Sequence, residues 1–167
     1  MRMNRCTIVL SLAVMLMPAA AIGQGDDRSG IAGREIGLRI FETMVSDNRE
    51  AIHMGDLERF RASVFSGMDY DDDGNVTYDE FASWDPGFIA VAEELGRSKA
   101  YTTASKIVFA FWDRNGDGSL TERELRAAMS ADFRRADFDG DALLTKNEFI
   151  GGFPIMVAMR AAIRPDL

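Results

Sequence analysis

Three twelve-residue stretches of the chain place oxygen-bearing side chains at alternate positions and end in glutamate. We name them by their first residues: the Asp69 loop (69–80), the Asp113 loop (113–124) and the Asp137 loop (137–148). Short side chains that alternate in this way can converge on one point. A hard cation such as Ca²⁺ takes about six to eight oxygen ligands, so the spacing predicts a metal site in each stretch. A single match could be a solvated acidic turn, but the repetition favours metal binding.

The Asp113 loop resembles the calcium loop of the EF-hand superfamily. It has Asp113, Asn115 and Asp117 at positions 1, 3 and 5, glycine at position 6 and glutamate at position 12. The chain as a whole resembles small exported bacterial EF-hand domain proteins. The resemblance implies an all-α fold of helix–loop–helix repeats, with Ca²⁺ as the bound cofactor.

The resemblance also implies six ligands in each loop, with position 7 using its backbone carbonyl, position 9 a water or hydroxyl, and position 12 both carboxylate oxygens. The predicted ligands are Asp69, Asp71, Asp73, Asn75, Thr77 and Glu80; Asp113, Asn115, Asp117, Ser119, Thr121 and Glu124; and Asp137, Asp139, Asp141, Leu143, Thr145 and Glu148. One loop departs from the pattern, since Ala142 replaces the glycine of position 6. Alanine in a left-handed conformation costs about 1–2 kcal/mol, so we expect weaker binding in the Asp137 loop.

A fourth copy of the pattern, without its ligands, lies at 45–56 and is called the Val45 loop. The interval between the last two loops, counted back from the Asp69 loop, reaches residue 45. Ile52 then falls at position 8, which is apolar in the other loops, and Asp56 at position 12. Val45 and Arg49 occupy ligand positions 1 and 5. We interpret this stretch as a degenerate hand that binds nothing; an ordinary helix–turn–helix is the alternative.

The repeats predict two halves. The expected organisation is a signal peptide at 1–23, a disordered segment at 24–32, an EF-hand pair at 33–84 holding the Val45 and Asp69 loops, a linker helix at 85–98, and an EF-hand pair at 99–163 holding the Asp113 and Asp137 loops. Only twelve residues join the loops within each half. That joint is either one shared helix or two very short helices separated by a cap at Ser63 or Ser130.

The first 23 residues predict export. A basic start precedes an apolar run from Cys6 to Met17 and a small-residue exit, which is typical of a secretory signal peptide and too short for a comfortable membrane span. The destination would be the periplasm or the exterior. Cys6 is the only cysteine, so the processed chain would have no disulfide and would depend on its core and on bound metal.

Charge and composition exclude several functions. A formal net charge of −8 argues against nucleic acid and anionic membranes as partners. The only histidine, His53, lies in the degenerate loop, and neither a nucleophile motif nor a glycine-rich phosphate loop occurs. The sequence therefore predicts that the protein is not an enzyme.

Two roles for calcium remain open at this stage. The favoured one is an exported structural or buffering module whose partners are calcium ions. The alternative is a sensor or adaptor that grips an unidentified protein partner through a methionine-rich apolar groove. Its candidate lining residues, which could equally fill the core, are Met44, Met68, Met129, Met156 and Met159.

Overall fold

The computed structural model describes residues 24–45 and 49–164, so the predicted signal peptide lies outside the described residues. The helices are α1 (Gln24–Met44), α2 (Met54–Met68), α3 (Tyr78–Ser83), α4 (Phe88–Glu94), α5 (Ser98–Trp112), α6 (Glu122–Ala136), α7 (Lys146–Gly152) and α8 (Pro154–Ala162). The strands are β1 (Ala51–His53), β2 (Asn75–Thr77), β3 (Ser119–Thr121) and β4 (Leu143–Thr145). The described chain is thus mostly helical, as the sequence predicts.

Each strand occupies positions 7 to 9 of one loop, including the Val45 loop. β1 pairs with β4 and β2 pairs with β3, in both cases antiparallel. The central partners are Ile52 with Leu144 and Val76 with Leu120, and all four side chains are fully buried. The apolar residue at position 8 therefore anchors each ladder in the core.

The ladders join loops from different halves of the chain. The sequence predicts an EF-hand pair in 33–84 and another in 99–163 but leaves the loop pairing open; the strands pair between these two segments. The twelve-residue joints form continuous helices, α2 and α6, each of 15 residues, which Ser63 and Ser130 do not interrupt. Such a helix is about 22 Å long. It holds the two loops of its half at opposite ends, where they cannot pair with each other.

The helices α2 and α6 pack against each other, and a network of ion pairs lies between them. The Arg61 side chain is 3% exposed; its Nε lies 3.2 Å from Glu58 Oε2 and its Nη2 lies 3.0 Å from Glu122 Oε1. Arg126 Nε lies 3.1 Å from the same Glu58 oxygen. The Arg61–Glu122 and Arg126–Glu58 contacts link α2 to α6 and so link the halves.

The core is built from the apolar residues that flank the loops. Phe65, Phe109 and Phe133, each four residues before a loop, are buried, and so are Phe81, Leu125 and Phe149, each directly after one. The five methionines named above are also buried, at 2–4% exposure. A cavity of about 60 Å³ lies among these side chains. That is far smaller than the roughly 300–1,000 Å³ of a typical ligand pocket.

The first helix begins at Gln24 and so includes the segment 24–32, for which the sequence predicts disorder. Ser29 is only 1% exposed. Gly33 makes a close approach to the C-terminal region, because a Cβ there would lie 3.1 Å from Ile163 Cδ1. Gly33, one residue after this segment, therefore packs closely against the end of the last helix.

The connection between the halves contains a helix, as predicted for 85–98. The Asp85 carboxylate accepts hydrogen bonds from the amides of Phe88 (2.8 Å) and Ile89 (3.1 Å) at the start of α4.

Near the C-terminal end of the described residues, Pro154 is the first residue of α8 and separates it from α7. Among the described residues, none of the helices combines the length and apolar character needed to cross a membrane.

Candidate calcium-binding loops

The aspartate at position 1 closes each of the three acidic loops by accepting backbone hydrogen bonds. One of its oxygens accepts from the amide at position 6, and the other from an amide at position 4 or 5. The position 6 contacts are Gly74 to Asp69 (3.1 Å), Gly118 to Asp113 (2.9 Å) and Ala142 to Asp137 (3.1 Å). Because these aspartates are already oriented by the backbone, their carboxylates face the interior of the loop turn.

The structure brings the predicted acidic ligands together in two loops. Carboxylate oxygens of Asp69, Asp71 and Asp73 lie within 4.8 Å of one another, and those of the group Asp137, Asp139 and Asp141 do the same. Like charges this close repel one another, and a cation between them removes that repulsion. The donor set is therefore suited to a hard divalent cation.

The Asp113 loop has an amide in place of the middle acid. Asn115 Oδ1 accepts from the Asp117 amide at 2.8 Å, and Asn115 Nδ2 donates to Asp117 Oδ2 at 2.8 Å. Asp117 Oδ1 also accepts from the Ser119 amide and hydroxyl, at 3.0 and 2.9 Å. The carboxamide thus orients a neighbouring ligand while adding no negative charge.

The glutamate at position 12 adopts the same arrangement in all three loops. Its Oε2 accepts from the amide and the hydroxyl of the threonine at position 9, with hydroxyl distances of 2.8, 2.8 and 2.7 Å for Thr77–Glu80, Thr121–Glu124 and Thr145–Glu148. Its Oε1 accepts from an amide at position 2 or 3. Each glutamate therefore bridges the two ends of its loop.

The threonines have a role that the sequence interpretation missed. Each is the N-cap of the exit helix, and its hydroxyl accepts from the amide of the glutamate three residues later. The signal was present as Thr-x-x-Glu, which is a capping box. Besides its predicted role as a ligand, the threonine at position 9 therefore positions the glutamate at position 12. The remaining predicted ligands, Asn75, Ser119 and Leu143, lie at the starts of β2, β3 and β4.

Hydrogen bonding keeps these glutamates ionised. The backbone amide of Thr77 lowers the pKa of Glu80, and that of Thr121 lowers the pKa of Glu124. For Glu148 the Thr145 hydroxyl is the largest cause of a lowered pKa. A lowered folded-state pKa gives stability that is present above the unfolded pKa and is lost as the pH falls through the folded value.

We expect Thr121→Val to make calcium binding by the Asp113 loop more sensitive to acid. Loss of the hydroxyl contact should raise the pKa of Glu124 toward its ordinary value, so protons compete with calcium at a higher pH than in the native protein. Calcium affinity measured from pH 7 to pH 4 would show this. Thr103→Val, an exposed threonine of α5, is the matched control. Identical pH profiles for both variants would contradict the expectation.

Two loop positions need a left-handed backbone. At position 6, Gly74 and Gly118 have φ of 84° and 88°, and Ala142 has φ of 65°, as the sequence predicts. Position 4 has the same requirement, which the sequence interpretation missed: Asp72 has φ of 58°. Glycines 116 and 140 occupy that position in the other loops and were the available signal.

Ala142→Gly should tighten calcium binding by the Asp137 loop about five- to thirtyfold. The bound loop must hold Ala142 in a conformation that costs about 1–2 kcal/mol, and glycine removes that cost. Calorimetric titration would measure the change. Gly118→Ala places the same strain in the Asp113 loop and should weaken binding there by a similar factor. Unchanged affinities in both variants would show that backbone strain at position 6 does not limit binding.

Comparison with known proteins agrees with this geometry. Residues 106–130 match the family model described as EF hand. The match covers the end of α5, the Asp113 loop and the first part of α6. A search of curated proteins found no matching relative. The family match and the two acidic groups support an EF-hand protein, and the EF-hand domain implies calcium binding.

Proposed function

We propose that the protein binds calcium at three sites, in the Asp69, Asp113 and Asp137 loops, and that calcium serves a structural or buffering role. One observation supports it most strongly. In all three loops, the glutamate at position 12 accepts a hydrogen bond from the amide of the threonine at position 9. At the other end of each loop, backbone amides orient the aspartate at position 1.

The shared helices favour a structural role over a switch. α2 connects the Val45 and Asp69 loops, and α6 connects the Asp113 and Asp137 loops. A helix swing that opened one loop would also displace the loop at the other end and its β-partner. The ion pairs of Arg61 with Glu122 and of Arg126 with Glu58 link the two helices.

The methionines of the alternative groove are buried in the described conformation. A calcium-dependent adaptor exposes a methionine-rich groove when it binds the ion. The five methionines proposed for such a groove are packed in the core, each 2–4% exposed. They therefore contribute to stability in the described conformation.

Calorimetry and a hydrophobic dye together test the proposal. Calcium titration should give three binding events, and Glu124→Gln should remove one of them. The dye should gain little fluorescence on addition of calcium. Strong calcium-dependent dye binding that Glu124→Gln abolishes would favour the adaptor role instead, and an absence of calcium binding would refute the proposal altogether.

Further parts of the proposal rest on sequence. Export to the periplasm or exterior rests on the basic and apolar pattern of residues 1–23, which lie outside the described region. A non-enzymatic role is consistent with the location of His53, which lies exposed on β1. The acidic charge supports a chain without nucleic acid or membrane partners. Fractionation of cells that express the full chain would test the first of these.

A further inference from the structure

The Val45 loop keeps the position 12 carboxylate of the other loops. Asp56 stands there, and its side chain is fully buried. Its Oδ2 accepts from the His53 amide at position 9, at 2.9 Å. The corresponding glutamates accept from the amides of Thr77, Thr121 and Thr145 in the same way.

A guanidinium group meets the second oxygen of this carboxylate. Arg49 Nη2 lies 2.6 Å from Asp56 Oδ1, and Arg59 also contacts that oxygen. Arg49 stands at loop position 5, where the acidic loops have the ligands Asp73, Asp117 and Asp141. Position 5 thus has a predicted ligand of the metal ion in the three acidic loops, and a positively charged side chain in the Val45 loop.

This ion pair differs from an ordinary surface salt bridge. Exposed pairs contribute roughly 0–1 kcal/mol, because water solvates both partners well when they separate. Asp56 is buried, so loss of the Arg49 cation would leave its charge less well compensated, with the more exposed Arg59 still in contact, which is destabilising. Arg49 is 34% exposed and Arg59 is 63% exposed at the side chain. Arg49 is therefore the better shielded of the two cations.

We propose that the Arg49 guanidinium takes the place of a calcium ion in the Val45 loop. It neutralises Asp56 and holds β1 in the conformation that a metal would otherwise impose. Because β1 pairs with β4, it also holds Leu143 and Thr145 of the Asp137 loop in register, opposite His53 and Ala51. Arg49 is thus a positioning residue for a calcium site in another part of the chain.

The proposal distinguishes the two ladders. Both strands of the β2–β3 ladder belong to loops whose carboxylates need calcium, so that ladder depends on metal on both sides. The β1–β4 ladder has one strand that an internal cation fixes at all calcium concentrations. This ready-made partner offsets part of the strain at Ala142 in the Asp137 loop. The inference rests on the proposed calcium site in that loop.

The first test isolates the Asp137 loop. In a background carrying Glu80→Gln and Glu124→Gln, Arg49→Met should weaken the remaining calcium affinity roughly tenfold. Arg49→Lys, which keeps a cation, should restore most of it. Electrostatics alone predicts the opposite sign, because loss of a positive charge favours cation binding. Arg134→Met, an exposed arginine of α6 outside the loops, controls for that effect and should leave affinity equal or slightly tighter.

Unchanged or tighter affinity in Arg49→Met would overturn the proposal. A background protein with no calcium binding would instead refute the assigned function of the Asp137 loop. The proposal has a second readout that needs no calcium. In chelator, amide hydrogen exchange should show β1 and β4 protected in the native chain and in Arg49→Lys, but not in Arg49→Met. Equal protection in all three, or a loss spread evenly over the whole chain, would reject a local role of Arg49.

Discussion

Removing calcium should lower the melting temperature of the protein by roughly 15 °C or more. A ligand at about a hundred times its dissociation constant stabilises the folded state by roughly 2.7 kcal/mol per site. Three sites together would contribute about 8 kcal/mol, and each kcal/mol changes the melting temperature of a chain this size by about 2–4 °C. Carboxylates such as Asp69, Asp71 and Asp73, whose oxygens lie within 4.8 Å of one another, would then repel without compensation.

Thermal melting in calcium and in chelator, followed by circular dichroism, measures this effect. Magnesium is a useful second cation, because its strict octahedral geometry suits these flexible oxygen loops poorly, so it should restore little of the stability. The matched variant carries Glu80→Gln, Glu124→Gln and Glu148→Gln, and its melting temperature should respond little to chelation. Equal melting temperatures of the native protein in calcium and in chelator would contradict a structural role for the ion.

Glu124→Gln should damage two calcium sites that lie in different halves of the chain. The Asp113 loop loses a charged ligand and should bind tenfold more weakly or worse, which corresponds to about 1.4 kcal/mol or more. Its β-partner is the Asp69 loop, through Leu120 and Val76, so affinity there should fall several-fold. The Asp137 loop pairs with the Val45 loop and should change least, although it shares α6 with Glu124.

NMR titration that resolves the loop amides would assign each loss to its loop. Glu148→Gln is the matched control, since its loop pairs with the Val45 loop, which has Val45 and Arg49 at ligand positions 1 and 5. It should weaken the Asp137 site and leave the other two nearly unchanged. If Glu124→Gln weakened the Asp137 site more than the Asp69 site, coupling would follow the shared helix instead of the β-ladder.

The loops could be predicted because their chemistry fixes the spacing within twelve residues. Ligand positions, the left-handed residue at Ala142 and the buried position 8 are all local properties. The strand at Ala51–His53 agrees with the degenerate hand, which the sequence indicated through the repeat interval, Ile52 at position 8 and Asp56 at position 12. The local sequence pattern thus indicated the loop and its strand even where the metal-binding residues are replaced.

Loop pairing could not be predicted, because it depends on how distant helices pack. Nothing near Ser63 or Ser130 determines whether a twelve-residue joint stays one helix; the long-range contacts of Arg61 with Glu122 and of Arg126 with Glu58 contribute to that outcome. The early start of α1 has the same origin, since Gly33 meets Ile163 from the opposite end of the chain. The cation at Arg49 was likewise visible only as a missing ligand.

The pairing of strands between the two halves also has a consequence for the order of folding. The ladders are nested: Val76 and Leu120 are separated by 120 − 76 = 44 residues, and Ile52 and Leu144 by 144 − 52 = 92 residues. Because the entropic cost of closing a chain segment grows with its length, we expect the inner ladder to close first. During synthesis on a ribosome, β1 would have no strand to pair with until β4 had been synthesised. A nascent chain that ends before β4 would therefore remain open to proteases and to transport machinery.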